Sequence, residues 1–89
     1  MNTIDHQKDH NRFVLAKENH ECLLDYKITS GSDNTIIDFN NTYVPFALRG
    51  KGLAEELVNS GLAWAKEQGY QIEASCWYVR DVIGKNDAR

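Results

Sequence analysis

Four consecutive residues, Arg49-Gly50-Lys51-Gly52, place two cations beside two positions without side chains, at the start of an amphipathic stretch. That combination suits an anion. The start of a helix exposes amide hydrogens that have no intrahelical acceptor, at the positive end of the helix dipole. A phosphate is the natural ligand for such a place. Gly50 and Gly52 carry no β-carbon to obstruct it, Arg49 can fork onto its oxygens, and Lys51 adds a point charge. The same four residues also make an ordinary turn with solvated cations, and composition alone leaves both readings open. Two phosphate motifs are excluded. A P-loop needs Ser or Thr after its Gly-Lys pair, but Gly52 follows Lys51 and no earlier glycine has the right spacing. A dinucleotide fingerprint needs a third small residue, where Glu55 stands.

Cys76 is the second candidate, because a thiolate is a nucleophile when its setting is accessible and electropositive. Alternation places it with Ile72 and Ala74, which equally describes a small buried hydrophobe. Cys22 shares a strand face with Leu24 and Tyr26 and reads as core. Trp64 and Trp77 read as packing residues. His6 and His10 have the spacing of two helical metal ligands, but nothing near them completes a site. Residues 1–11 read as a loose solvated arm with no metal.

The elements that position these residues follow from periodicity. Arg12 to Lys17 is a short β-type run. In residues 21–29, Cys22, Leu24, Tyr26 and Ile28 alternate with Glu21, Asp25, Lys27 and Thr29, the mark of a half-buried strand. "SGSDN" makes a turn, and residues 35–44 resume the strand pattern with Ile37 and Phe39 on one face. Pro45 stops strand pairing. A helix begins near Gly50 or Lys51 and stops at Gly69. Leu53, Leu57, Val58, Gly61, Leu62 and Ala65 share its apolar half. Gly61, central in that half, costs a helix about 1 kcal/mol relative to Ala, which a close approach to the sheet would explain. Residues 70–76 form a fourth strand, so a right-handed crossover makes the third and fourth strands a parallel pair. Val79, Val82 and Ile83 suggest one short helical turn. The expected fold is α/β (α+β): a four-stranded mixed sheet, order β-β-β-α-β-α, with one long helix packed on it.

Bulk properties narrow the partners. Eighty-nine residues fit a single domain spanning 1–89. Hydrophobic content of 42% and charged content of 26% fit a soluble globular chain. A net charge of −3 argues against nucleic acid, so an anionic ligand must be attracted locally. The polar start "MNTIDHQKDHNR" is no secretory signal, and no run reaches the roughly 20 apolar residues of a membrane helix. A cytoplasmic monomer with two reduced cysteines is the expectation.

Arg49-Gly50-Lys51-Gly52-Leu53-Ala54 also matches Arg/Gln-x-x-Gly-x-Gly/Ala, the pyrophosphate signature of the GNAT acetyltransferase superfamily. With "LDYKI", "YVPFALRGKGLAEELV" and "SCWYV" in this order, residues 13–83 resemble the compact GNAT-like subfamily that has one cysteine in its cleft. The resemblance implies that acetyl-coenzyme A lies where the two parallel strands splay apart. Its pantetheine arm would pair with backbone at Tyr43, Val44 and Pro45. Its pyrophosphate would sit on the amides of Gly50, Lys51, Gly52, Leu53 and Ala54, with Arg49 and Lys51 nearby. Cys76 would approach the thioester as the catalytic residue, and Tyr78 and Val79 would line the same cleft. Relatives often carry histidine at Asn41, an acidic residue at Tyr43 and a proline just before the cysteine, and this chain has none of these. The implied activity is acetyl transfer to an unknown amine or protein acceptor at an open site. A coenzyme A-binding module without turnover, and a structural domain whose turn binds nothing, are the alternatives.

Overall fold

A computed structural model describes residues 3–87. Its elements are β1 (Thr3–Gln7), β2 (Arg12–Lys17), β3 (His20–Ser30), β4 (Thr35–Tyr43), α1 (Leu53–Gln68), β5 (Gln71–Ala74) and α2 (Trp77–Asp87). The strands form one sheet in the order β1-β2-β3-β4-β5. The first four are antiparallel, and β4 pairs with β5 in parallel, as the crossover through α1 requires.

The sheet has five strands where the sequence pattern indicated four. Residues 3–7, expected within a loose arm, pair along the edge of β2. Met1 and Asn2 lie outside the described residues. The reason is that His6 behaves as an aromatic rather than a polar residue. Its ring stacks on Phe13 at 4.0 Å and meets Trp64 edge-on at 4.4 Å. Its Nε2 shares a 2.7 Å hydrogen bond with the Tyr26 hydroxyl. His10 lies beyond the strand in a 3₁₀ turn, so the two histidines do not share a helix.

α1 lays its apolar stripe on the inner face of the sheet. Leu53, Leu57, Val58, Gly61, Leu62 and Ala65 are buried there with Phe13, Leu15, Cys22, Leu24, Tyr26, Ile37 and Phe39. Gly61 is the point of closest approach. A β-carbon at that position would stand 2.8 Å from Leu24 Cδ2 and 3.1 Å from Phe39 Cε1. The helix starts at Leu53, later than Gly50 or Lys51, because Gly50 and Gly52 adopt φ of 80° and 74°. A right-handed helix cannot run through them.

Two further differences shape the site. β5 ends at Ala74, so Cys76 leaves the strand and sits in the turn before α2. α2 runs eleven residues rather than one turn, with Val79 and Val82 fully buried as its anchors. Trp77, expected in the core, is 72% exposed.

Candidate functional site

β4 and β5 pair from Ile36/Gln71 to Phe39/Ala74 and then separate. A bulge in β4 accompanies the separation. Tyr26 faces Phe39 while Asp25 faces Asn41, which leaves Asn40 without a partner on β3. That extra residue resets the alternation, so Thr42, opposite the core residue Leu24, turns inward. A cleft of about 430 Å³ opens between the diverging chains. Thr42 and Val44 form one wall, and Cys76, Trp77 and Tyr78 form the other. Leu48, Arg49, Gly50, Gly52, Leu53 and Ala54 close one end.

That closed end is a basic turn at a helix start. No side chain caps α1, and its first intrahelical bond is donated by the Glu56 amide to the Gly52 carbonyl at 3.2 Å. The amides of residues 53–55 therefore have no intrahelical acceptor. Leu48, buried in a 3₁₀ turn, ties the loop to the core. Arg49 spans the loop: its Nε donates to the Val44 carbonyl at 3.1 Å, and its guanidinium lies 5.8 Å from the Phe46 ring centroid.

The thiol stands on the opposite wall. Cys76 directly precedes α2, and its carbonyl accepts from the Arg80 amide at 3.2 Å, so it occupies the N-cap position. Its sulfur and the Thr42 hydroxyl share a 3.6 Å hydrogen bond. Burial pushes the Cys76 thiol up. The Thr42 hydroxyl and the backbone at Val79, Tyr78 and Thr42 oppose that by hydrogen bonding the sulfur, and the net effect is a pKa below the ordinary thiol value. Burial, with the nearby carboxylates Glu55 and Asp81, pushes the Tyr78 phenol up instead. The cleft thus sets a thiol whose pKa is shifted down beside a phenol whose pKa is shifted up.

A sequence profile for GCN5-related N-acetyl-transferase matches residues 12–89. The chain belongs to this family. Among its relatives, Protein NATD1 of Bos taurus is 33% identical over 51 residues, covering 57% of this chain and 45% of that protein. Protein NATD1 of Homo sapiens gives the same identity over the same length. Protein NATD1 of Danio rerio is 24% identical over 85 residues, 93% of this chain and 74% of the relative. The matches to the mammalian and avian relatives span less than half of those proteins' length.

In this GCN5-related N-acetyltransferase domain, the cleft brings together some of the residues singled out in the sequence and not others. Val44, Arg49, Gly50, Gly52, Leu53, Ala54, Cys76 and Tyr78 line it together. Tyr43 lies opposite Leu23 with its side chain 51% exposed, and Pro45 stands beside the lining. Lys51 is drawn away by a 2.7 Å ion pair with Glu18, in the β2–β3 turn. Val79 belongs to the core rather than to the cleft surface. Thr42, Leu48 and Trp77 line the cleft and escaped the sequence reading. Only the bulge, invisible in an apolar–polar pattern, brings Thr42 to the thiol.

Proposed function

We propose that this domain binds acetyl-coenzyme A in the β4–β5 cleft and transfers its acetyl group to an amine acceptor. The observation that carries the reading is one continuous cleft with uncapped helix amides at one end and a hydrogen-bonded thiol on its wall. The family generally uses this donor, and the residues present fit it. A β-carbon built at Gly50 or Gly52 would meet nothing within 4 Å, which leaves room for phosphate oxygens against the backbone. The amides at residues 52–54 and the Arg49 guanidinium would hold the pyrophosphate. Backbone at residues 43–45, released from strand pairing with β5, would hold the pantetheine arm. When bound, the coenzyme supplies an acyl group already activated as a thioester. Cys76 and Tyr78 stand where that group would end. Tyr78 holds a proton on its phenol oxygen, and Thr42 orients the sulfur of Cys76.

A second reading, coenzyme binding without turnover, rests on one specific feature. Among the described residues, no His, Asp or Glu side chain lines the cleft. Asn41 lies outside the cleft lining, and its amide donates to the Asp25 carboxylate at 2.9 Å. Calorimetric titration with coenzyme A and acetyl-coenzyme A tests both readings against the structural one. Saturation at 100 times the dissociation constant should raise folding stability by about 2.7 kcal/mol. Absence of heat and of any thermal shift at millimolar coenzyme would reject both. Release of free coenzyme from acetyl-coenzyme A in the presence of amines then separates enzyme from module.

A further inference from the structure

The turn that presents Cys76 is clipped to β4 by a carboxylate that the cleft itself does not use. Asp38 lies on the sheet face away from α1, between Lys27 of β3 and Glu73 of β5. Both of its oxygens go to one residue. Oδ1 accepts from the Ser75 amide at 2.8 Å, and Oδ2 accepts from the Ser75 hydroxyl at 2.6 Å. The next residue continues the pattern, since the Cys76 amide donates to the Phe39 carbonyl at 3.1 Å. Two successive residues of β4 thereby hold two successive residues of the turn, beyond the end of the β5 ladder at Ala74.

We propose that Asp38, acting through Ser75, is a positioning residue that fixes the Cys76 sulfur against Thr42 and the first turn of α2. The inference rests on the reading of Cys76 as the reactive group of the cleft. Cys76 is tied to two separate elements: its sulfur shares a hydrogen bond with the Thr42 hydroxyl on β4, and its carbonyl accepts from the Arg80 amide in the first turn of α2. Hydrogen bonds weaken steeply when their angles open. Both bonds can be satisfied at once only if α2 leaves the sheet in a fixed direction. The Asp38–Ser75 clip is charge-assisted and two-pronged, and it sits one residue before the helix starts. Ionisable groups on the packed elements near the thiol include Tyr78, Arg80 and Asp81 on α2, Glu55 on α1 and Arg49 across the cleft. Arg80 directs its guanidinium to the Ser75 carbonyl at 3.5 Å, and Arg49 holds the Val44 carbonyl.

The sign of the effect separates positioning from plain charge. As a negative charge alone, Asp38 would make a neighbouring thiolate harder to form, and its removal would make the thiol more acidic. As a clip it does the reverse.

The test is the rate of Cys76 alkylation by iodoacetamide between pH 6 and 10, read by peptide mass spectrometry on the whole chain without coenzyme. Thiolate displaces iodide in this reaction, so the midpoint of the rate profile reports the thiol. Cys22, fully buried, stays unlabelled while the fold is intact. Asp38→Ala should move the midpoint up by about 0.5–1 pH unit, the scale of losing one hydrogen bond to a charged form. Asp38→Asn should restore the parent profile, because its amide can accept from the Ser75 backbone and donate to the hydroxyl. An Asp38→Ala profile that is unmoved or moved down, with Asp38→Asn matching it, would overturn the proposal. If Asp38→Ala labels Cys22 and so fails to fold, Ser75→Ala decides. That variant keeps the backbone prong and loses the hydroxyl prong, and an unmoved midpoint would equally overturn the clip. Coenzyme titration of the same variants is a separate measurement, so a failed clip leaves the donor-binding reading standing, and the reverse holds too.

Discussion

Gly52 and Gly69 bracket α1 with matching backbone, and that match isolates what Gly52 does for a ligand. Their φ values are 74° and 75°, and a β-carbon at either would meet nothing within 4 Å. Alanine at either position must enter the left-handed region at a cost of about 1–2 kcal/mol. Each kcal/mol lowers the melting temperature of a domain this size by about 4–8 °C, so Gly52→Ala and Gly69→Ala should lose similar stability. Only Gly52 lines the cleft. There the added methyl would push a bound phosphate off an amide, forfeiting a hydrogen bond to a charged group worth about 1.5–3 kcal/mol. That corresponds to roughly 10- to 150-fold in dissociation constant. Calorimetric titration of coenzyme A at a temperature where both variants are folded reads the difference directly. Gly69→Ala should bind like the parent. Equal dissociation constants for the two variants would show that the phosphate does not sit on the start of α1.

Gly61→Ala and Gly84→Ala make a second pair, read by urea unfolding. Gly84 has open space around it, so alanine should stabilise by about 0.5–1 kcal/mol. At Gly61 the methyl collides with buried Leu24 and Phe39, an overpacking cost of about 1–3 kcal/mol, and net destabilisation is expected. Equal stabilisation by both would contradict the close approach of α1 to the sheet. Lys51→Ala should weaken coenzyme binding less than about tenfold, since a helix-terminus charge contributes roughly 0.3–1 kcal/mol. Glu18→Gln, which frees Lys51 from its ion pair, should tighten binding at low salt, and weaker binding in that variant would refute the shared-charge account. For His6, burial and then Lys8 lower the pKa, and Asp5 only partly opposes them. The fold therefore favours the neutral ring. Its stabilisation is complete above the ordinary value of 6.5 and falls away as pH drops through the lowered value. His6→Phe should flatten the dependence of stability on pH in that acid window, and an unchanged slope would reject the assignment.

Local sequence reveals periodicity, and it fails here where a contact across the sheet overrides the pattern. Cys22, Leu24, Tyr26 and Ile28 alternate because one side of β3 faces α1, so β3 could be read directly. The start and stop of α1 could be read to within a few residues because glycine marks both ends. β1 could not, since half of its inward face is a histidine whose partners are Phe13 on the paired strand and Tyr26 and Trp64, both distant in sequence. Thr42 was lost to the Asn40 bulge, and the early end of β5 to the Asp38–Ser75 bonds that pull the chain out of the ladder. Trp77, opposite in parity to Cys76, is exposed at the start of α2. The glycine-rich end of the cleft is continuous in sequence; at the thiol end, assembled from β4 and α2, Cys76 and Tyr78 were singled out while Thr42 and Trp77 were not.

The two ends also differ in the forces that would act there, and salt distinguishes them. At the α1 end any attraction for an anion includes Arg49 and Lys51, both exposed. Free charges in solvent are screened over about 8–10 Å at ordinary ionic strength. Binding of a phosphate ligand there should weaken as salt rises. At Cys76 the influences are burial and hydrogen bonds from a hydroxyl and from backbone, with no ionic group among them. Short hydrogen bonds in a half-buried site are hardly screened, so the alkylation midpoint of Cys76 should hold steady over the same salt range. Arg80 decides whether this division is sound. Its guanidinium is close enough along the chain to act on the thiol but is directed at the Ser75 carbonyl. If added salt moved the Cys76 midpoint upward, and Arg80→Gln abolished that movement, a cation rather than the helix start would be lowering the thiol. A midpoint insensitive to both leaves the downward shift of Cys76 to the Thr42 hydroxyl and the neighbouring backbone.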